Sequence, residues 1–394
     1  MFKKCVFAFC VYLFTFVALA QENSITGVLQ EIEKNNSELR AYSTLIESKN
    51  LSLKTGNNLP DPEFGAYYMP FGDHLGGDYT EFQITQSIEF PTIYSARNKL
   101  IEVQMEQMNL EYFEKKQEVL TSAKKHCFEL ISLNKKLSLE LTRVAQAKKV
   151  FEHVEEQFNN ELVGILDYNK AKIAWLQEQF GVQQIELDMQ NILLLLKNLN
   201  GGIDISFKQT YSQINFEIPS LDTLWVEKQS VDPSLQIMKQ NETIAAQQID
   251  ITKKSSFPDI TAGFNRQGIS GAYYSGIYGG LTIPLWSNKN KVKSAEAKYN
   301  YQQTANNIQL QHIFTEFEKQ YNQYQLLLTR FHEYNKTMTG LNSETLLLQA
   351  YEIGKISFLE YYMELNFYRE AIYTQLQLEL QLSQLKTELL KHQL

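Results

Sequence analysis

The sequence predicts a mainly α-helical protein in which two long helical blocks alternate with two short β-rich blocks. Three observations indicate this arrangement. The eight prolines lie only at positions 60, 62, 70, 91, 219, 233, 258 and 284, which leaves 92–218 and 285–394 without any. Because proline breaks helix interiors, proline-free spans of this length favour long helices. Glycines cluster beside the prolines, and several motifs recur at a nearly constant offset.

Composition excludes several classes of protein. The 394 residues are 43% hydrophobic and 21% charged, which is far from the composition of a disordered chain. A mean hydropathy of -0.33 excludes a bundle of membrane helices. The formal net charge is -8, and an acidic chain without long basic runs argues against nucleic acid as a partner.

The N-terminus has the pattern of a secretory signal peptide over residues 1–20. Lys3 and Lys4 precede an apolar run that ends in the small-x-small sequence of residues 18–20. An N-terminal membrane anchor is the alternative, but the run is short for a spanning helix. After cleavage, Cys127 is the remaining cysteine, so we expect no intrachain disulfide. Later segments are too polar for membrane helices, so any membrane-spanning part must consist of β-strands.

The blocks form an internal repeat. Four motifs match in order: 36–39 with 232–235, 59–61 with 257–259, 90–91 with 283–284, and 158–168 with 351–361. The last two pairs share an offset of 193 residues. We therefore predict a first repeat over 21–199, with strands at about 61–90 and helices at about 92–199. A linker at 200–219 precedes a second repeat over 220–394, with strands at about 258–284 and helices at about 288–392.

The helical blocks carry a coiled-coil pattern. Apolar residues of the first block keep a spacing of three and four residues: Phe113, Leu120, Ala123, Cys127, Leu130, Leu137, Leu141, Val144, Phe151 and Phe158. One helix over 92–157 is about 100 Å long, and it is followed by a turn near 159–165 and a return helix at 166–199. Helices at 24–57, 232–256 and 358–392 complete the pairing. An ordinary helical bundle with additional breaks is the alternative.

The proline-rich and glycine-rich blocks have the alternation of β-strands. In 79–90, Phe82, Ile84, Ile88 and Phe90 share one face, over the length of a membrane strand. Similar patterns cover 62–68, 260–266 and 273–283. Two soluble hairpins that cap the helices are the alternative. If the strands enter a membrane, several chains must share one barrel, because the smallest bacterial barrels have eight strands.

Taken together, these features resemble the TolC-like outer-membrane efflux proteins. The resemblance covers essentially the whole mature chain and rests on the turn motifs at 158–167 and 351–360. The strand starts at Pro60-Asp61 and Pro258-Asp259 are similar to those of the metal-efflux and multidrug branches. The resemblance implies a homotrimer with a 12-strand β-barrel in the outer membrane and a 12-helix α-barrel tunnel in the periplasm. The alternation of Ile203, Ile205 and Phe207 predicts a small mixed equatorial region at 200–219.

The resemblance also implies partners and a site. A periplasmic adaptor, itself bound to an inner-membrane pump, is expected to dock on the helical turns, at Leu162, Val163, Gly164, Gly354, Lys355 and Ser357. Asp167, Tyr351 and Glu360 are expected to form the entrance constriction, where clustered carboxylates attract cations and raise one another's pKa. Three positions depart from the family pattern. Glu161 stands where the family usually has a glycine. Ile356 stands where a basic residue would hold the entrance closed, and Met363 stands where a second acidic residue would follow Glu360. These departures put a double acidic ring and a basic latch in doubt.

The predicted function is therefore that of a passive exit duct in a tripartite efflux system. The six histidines are scattered, and the sequence contains no Cys-x-x-Cys, His-Glu-x-x-His or glycine-rich phosphate loop. We accordingly expect no catalytic, cofactor or metal site and no nucleic-acid partner. The sequence leaves the substrate open, because the pump selects it. A periplasmic coiled-coil adaptor without its own channel is the alternative, although adaptors typically have one helical hairpin rather than two.

Overall fold

The computed structural model describes residues 24–69, 72–73, 75–207, 215–269, 271–339 and 343–394. The predicted signal peptide and part of the linker, 208–214, lie outside this range. The helices are α1 (Ile25–Asn35), α2 (Ser37–Thr55), α3 (Thr92–Asn159), α4 (Ile165–Leu199), α5 (Leu221–Val231), α6 (Pro233–Lys254), α7 (Lys291–Thr339), α8 (Ser343–Glu352) and α9 (Phe358–Leu389). The strands are β1 (Glu63–Met69), β2 (Tyr79–Ile88), β3 (Asp259–Ile269) and β4 (Ala272–Thr282). Within the described residues, no helix has both the length and the apolar character needed to cross a membrane.

The long helical spans are confirmed, and α3 is a single helix of 68 residues. The predicted N-terminal helix at 24–57 is wrong in one respect, because Asn36 divides it into α1 and α2. Asn36 leaves the helical region with a ψ of 121°, and its side chain accepts a hydrogen bond from the N–H of Leu39 at 2.8 Å. The same side chain donates to the carbonyl of Leu199 at 2.7 Å, which joins this break to the end of α4. Asparagine at an N-cap competes with helix continuation in this way.

The start of α6 has a matching cap in the second half of the chain. The side chain of Asp232 accepts hydrogen bonds from the N–H groups of Ser234 and Leu235, at 3.1 and 3.4 Å. Pro233 follows it at the first helical position, where a missing N–H costs nothing. Asn36 and Asp232 are aligned in the repeat, so this motif marks a helix start in both copies.

The predicted mixed region at 200–219 lies partly outside the described residues, so the structure tests it only in part. Residues 203–207 alternate in polarity but form no strand, and no strand lies among the described linker residues. Alternation alone does not make a strand when no neighbouring strand offers a hydrogen-bonding edge. The sequence reasoning also missed α5, whose start is marked by Ser220, the acceptor of a hydrogen bond from the N–H of Thr223 at 3.4 Å.

The four strands form one antiparallel sheet in the order β1-β2-β3-β4. Its register places Phe64, Ile84, Phe264 and Ile277 in one row across all four strands. The next row, on the opposite face, contains Gly65, Gln83, Asn265 and Gly276. The predicted alternation is therefore confirmed, because the apolar faces of the four strands lie on one side of the sheet and their polar faces lie on the other. The apolar face is uncovered in the described chain: Phe64 and Ile277 are 71% and 95% exposed.

The described chain divides into two compact units. One unit contains the residues up to Arg40, Lys115–Lys228 and Phe314–Leu394, and it has a core of Leu224, Phe317, Tyr324, Leu382 and Leu389. The other contains Ala41–Glu114 and Gln229–Ile313, which include the sheet, and it has a small core of Ile93, Ala96 and Ile251. Each unit draws on both halves of the sequence.

Candidate functional site at the helical turns

The predicted docking residues lie in two turns, which we name tip 1 (160–164, between α3 and α4) and tip 2 (353–357, between α8 and α9). The two tips have the same backbone conformation. Glu161 and Gly354 have positive φ angles of 60° and 68°. The next N–H groups, of Leu162 and Lys355, each donate to the carbonyl five residues earlier at 2.8 Å. These bonds satisfy carbonyls left unpaired at a helix end, and the positive φ explains why glycine suits this position.

Each tip ends in a residue that begins the return helix. Gly164 and Ser357 have nearly identical extended backbones, with ψ at 163° in both. Gly164 offers no side-chain cap. Ser357 forms a capping box with Glu360: its hydroxyl accepts from the N–H of Glu360 at 3.2 Å, and the carboxylate of Glu360 accepts from the N–H of Ser357 at 2.8 Å. The start of α9 is therefore better capped than that of α4.

The capping box sets the charge state of Glu360. Hydrogen bonds from the backbone N–H and then the hydroxyl of Ser357 lower the pKa of this carboxyl from its usual 4.5. This direction differs from the rise expected for carboxylates clustered around a pore. Within one chain, the hydrogen bonds from Ser357 therefore outweigh the opposing effect of burial and decide the direction of the shift.

We expect the carboxyl of Glu360 to titrate below 4.5, as followed by carbon-13 NMR of the purified chain. Because the folded-state pKa is lowered, the cap is present above the unfolded-state pKa and is lost as the pH falls through the folded-state value. Replacing Ser357 by glycine removes the hydroxyl and keeps the backbone N–H, so the pKa should move part of the way upward. A titration at or above 4.5 in the unmodified chain contradicts this prediction.

Asp167, in the first turn of α4, occupies the position that corresponds to Glu360 in α9, but it has a different partner. One of its carboxylate oxygens lies 3.7 Å from the ammonium of Lys170, and both side chains are about half exposed. Such an exposed pair contributes little to stability. Asp167 therefore pairs with a lysine side chain on its own helix, whereas the carboxylate of Glu360 is held by the cap.

Tyr351 belongs to the packed interior beside tip 2. Its ring stacks on that of Tyr361 with centroids 5.3 Å apart, and it meets His153 of α3 edge to face at 6.3 Å. Burial raises the pKa of the Tyr351 hydroxyl. The packing with Val150 and Leu365 makes it a residue that fixes tip 2 against α3 and α9.

The structure brings five of the nine predicted residues to one cleft of about 520 Å³, and Leu162, Gly164, Lys355 and Glu360 are not among its lining residues. Val163, Asp167, Tyr351, Gly354 and Ser357 are among the residues that line it. Of the predicted docking residues, Leu162, Gly164, Gly354, Lys355 and Ser357 are exposed, whereas Val163 is half-buried against the cluster of Phe151, Val154 and Ala171.

The surface of the tips is also apolar, which the prediction did not emphasise. Leu162, Leu166 and Ile353 are each at least 70% exposed. Exposed apolar side chains grouped on adjoining turns are typical of a surface that binds another protein.

A buried cluster of charges, which sequence reasoning missed, lies farther along the same helices. Arg143 donates to Glu140 at 2.8 Å, and Arg369 of α9 pairs with Glu140 at 3.3 Å and with Glu178 of α4. The hydroxyl of Tyr373 donates to Glu140 at 2.7 Å. The side chains of Glu140, Arg143 and Glu178 are no more than 3% exposed. The cluster therefore joins α3, α4 and α9 through ionic hydrogen bonds away from water.

The charge balance of this cluster depends on Arg369. Burial raises the pKa of Glu178, the nearby carboxylate of Glu140 raises it further, and Arg369 opposes both effects. The sequence shows only Glu140 and Arg143 three residues apart on a helix, which is equally typical of an exposed pair. The other sequence-level pair, His126 and Glu129, forms a local contact of 2.9 Å.

Comparisons with known proteins agree on the fold. CusC, described for its folding and transmembrane channel formation, has a TM-score of 0.76 at 13% identity, over 94% of this chain and 92% of that chain. The outer-membrane channel OprN has a TM-score of 0.76 at 11% identity, over 94% and 90%. The CmeC outer membrane channel of Campylobacter jejuni has a TM-score of 0.68 at 14% identity, over 93% and 85%.

Sequence comparison alone gives no such link. No protein-family profile matches the chain, and no curated protein matches it closely. At 11–14% identity, the structural likeness extends over nearly the full length of each chain. The chain therefore has the fold of the TolC-like outer-membrane channels, whose turn motifs its sequence also resembles.

Proposed function

We propose that the chain is the outer-membrane exit duct of a tripartite efflux system, and that it conducts substrates passively from an inner-membrane pump and a periplasmic adaptor to the exterior. The observation that carries this proposal is the four-stranded sheet with an exposed apolar face, attached to two helical hairpins with matching tips. An adaptor with one hairpin between β-rich modules does not have this combination. The function is transport, and it requires no catalytic group in the chain.

The sheet supports assembly from several copies. β1 and β4 are its edge strands, and each pairs with one neighbour among the described residues. Unpaired strand edges are costly in lipid, and pairing of β4 with β1 of the next copy removes them. Three copies supply 12 strands, which is above the eight that the smallest bacterial barrels need. We propose this homotrimer, with the apolar sheet face against outer-membrane lipid.

The tips support a periplasmic docking site. Leu162, Ile353 and the exposed backbone at Gly354 offer an apolar surface with little side-chain obstruction. We propose that the adaptor binds here, and that Asp167, Tyr351 and Glu360 lie around the tunnel entrance. Tyr351 then acts by fixing the position of tip 2, while the two carboxylates set the local charge.

Reversal potentials in a planar lipid bilayer test both the channel and its entrance. The purified protein should conduct ions and prefer cations in a salt gradient. We expect Glu360→Gln to reduce this preference, because one negative charge per copy is removed near the narrowest part. Glu318→Gln is the control, since Glu318 is an exposed acid of α7 that does not line the cleft between the tips.

Two results would contradict this proposal at different levels. A protein that inserts but never conducts would refute the duct and favour the adaptor alternative. A conducting protein with the same reversal potential in both variants would keep the duct and exclude Glu360 from the entrance.

A further inference from the structure

The apolar face of the sheet carries one charged side chain among the residues of its four strands. In the row next to that of Ile84, β3 places Arg266 between Phe82 of β2 and Ser275 of β4. The acidic residues of the strands all lie on the opposite, polar face: Glu63, Glu81 and Asp259. An arginine on a lipid-facing surface is costly at the bilayer centre and tolerated near the headgroups, so its height in the sheet matters.

Arg266 lies near the hairpin end of the sheet. It is three residues before the end of β3 at Ile269, which at a strand tilt of about 45° is roughly 7 Å below that end. The next row toward the hairpins contains Tyr68 and Tyr273 on the same face, and these side chains are 61% and 63% exposed. A row of tyrosines on the apolar face marks the headgroup level of a membrane barrel.

The side chain of Arg266 is directed toward that row of tyrosines. Its guanidinium carbon lies 4.6 Å from the centre of the Tyr273 ring, and Tyr273 pairs with Gly268, two residues nearer the hairpin. Gly268 leaves room for this ring, because a Cβ at this position would lie 2.9 Å from it. The arginine therefore keeps its apolar stem at the level of the lipid chains and its charge at the level of the headgroups.

The guanidinium has donors to offer at this level. Among the described residues, Arg266 has no acidic partner and no hydrogen bond, and the ring of Tyr273 covers one face of the guanidinium without using its N–H groups. Ser275, an exposed hydroxyl residue, stands directly across from it on β4. β3 is an inner strand, so β4 separates Arg266 from the sheet edge. A fork of N–H donors beside a hydroxyl suits a phosphate group, which guanidinium binds through two parallel hydrogen bonds.

We propose that Arg266, Tyr273 and Ser275 bind the phosphate group of a lipid in the exterior leaflet, namely the phosphorylated lipid A part of lipopolysaccharide. This inference rests on the proposed function, which places the helices in the periplasm. Helices α3 and α7 follow the ends of β2 and β4 that lie away from the hairpins, so the hairpin end faces the exterior leaflet. The acyl chains of the lipid then lie along the apolar rows below Arg266.

Native mass spectrometry of the full chain in detergent tests the site, with diphosphoryl lipid A and its dephosphorylated form as probes. The unmodified chain should bind the phosphorylated lipid roughly tenfold more tightly, and Arg266→Gln should remove this preference. Arg330→Gln is the matched control, because it makes the same change of charge at an exposed residue of α7, outside the sheet. Arg266→Lys keeps the charge but not the fork and should retain part of the preference, which separates lost recognition from a folding defect.

The outcomes separate this site from the proposed function. Loss of the phosphate preference in Arg266→Gln but not in Arg330→Gln supports the inference. A preference that survives Arg266→Gln, or that the unmodified chain lacks, overturns it and leaves the conductance measured in planar bilayers unaffected. Displacement of the lipid by an equal concentration of inorganic phosphate would also overturn it, because the site would then hold a free anion. A protein that never conducts refutes the proposed function, and with it the exterior leaflet as the source of the lipid.

Discussion

Replacing Arg369 by methionine should lower the free energy of unfolding by about 3–5 kcal/mol, because it leaves buried carboxylates with too few cations. Arg369 serves both Glu140 and Glu178, whose side chains are 3% and 1% exposed. Without Arg369, the already raised pKa of Glu178 should rise further. A protonated carboxyl is less costly to bury than a carboxylate. The loss of unfolding free energy should therefore be largest at high pH and should decrease as the pH falls through that raised pKa.

Denaturant unfolding of the detergent-solubilised protein, followed by circular dichroism, measures this loss. Lys148→Met is the matched control: its 3.6 Å pair with Glu152 is more than half exposed at both ends, so we expect a change below about 1 kcal/mol. Adding Glu178→Gln to Arg369→Met should recover part of the loss. Equal losses of unfolding free energy in Lys148→Met and Arg369→Met would show that burial of the charge cluster does not increase its contribution to stability.

Replacing Gly354 by valine should reduce efflux by roughly tenfold or more while the protein still reaches the outer membrane. A β-branched residue at a φ of 68° introduces strain of about 1–3 kcal/mol, although no other atom lies within 4 Å of its Cβ position. Each 1.4 kcal/mol changes an equilibrium constant tenfold, so this strain shifts the ratio of native to altered tip conformations by roughly fivefold to a hundredfold toward altered tips. Drug or metal accumulation in cells that depend on this channel gives the measurement.

Two variants serve as controls for this prediction. Gly76→Val, outside both tips, changes a glycine without a positive φ and with open space around it, so it should be tolerated. Glu161→Gly relieves a non-glycine residue at a φ of 60° and should be neutral or slightly stabilising. Unchanged efflux in Gly354→Val would place the docking surface elsewhere, and absence of the variant from the membrane would indicate a folding defect.

Much of the fold was predictable because strong local signals agree with the tertiary structure. Pro91 precedes α3 directly, and the predicted end of this helix at 157 is two residues from the observed end at Asn159. The break at Asn36 was also within reach. The repeat aligns it with Asp232, whose position before Pro233 marks a helix start, so the second copy contains the boundary missed in the first.

The candidate site was predictable in backbone but not in side-chain environment. The glycine at 354 correctly indicated a positive φ, because few other residues adopt it. The burial of Glu140 depends on Arg369 and Tyr373, more than 220 residues away, and no local pattern records that packing. For Glu360, the capping sequence Ser-x-x-Glu was visible, and it competed with an interpretation based on pore charge.

The matching backbone hydrogen bonds of the two tips also bear on descent. A tandem duplication explains one backbone turn that occurs twice at a fixed spacing, and the unit before fusion had about half the present length. To enclose the proposed tunnel, that ancestor would have needed twice as many copies, all with equivalent tips. Fusion ended this equivalence, so mutations could accumulate separately in each half. Glu161 and Gly354 are the two copies of one ancestral position. They now differ in conformational freedom, although both keep a positive φ.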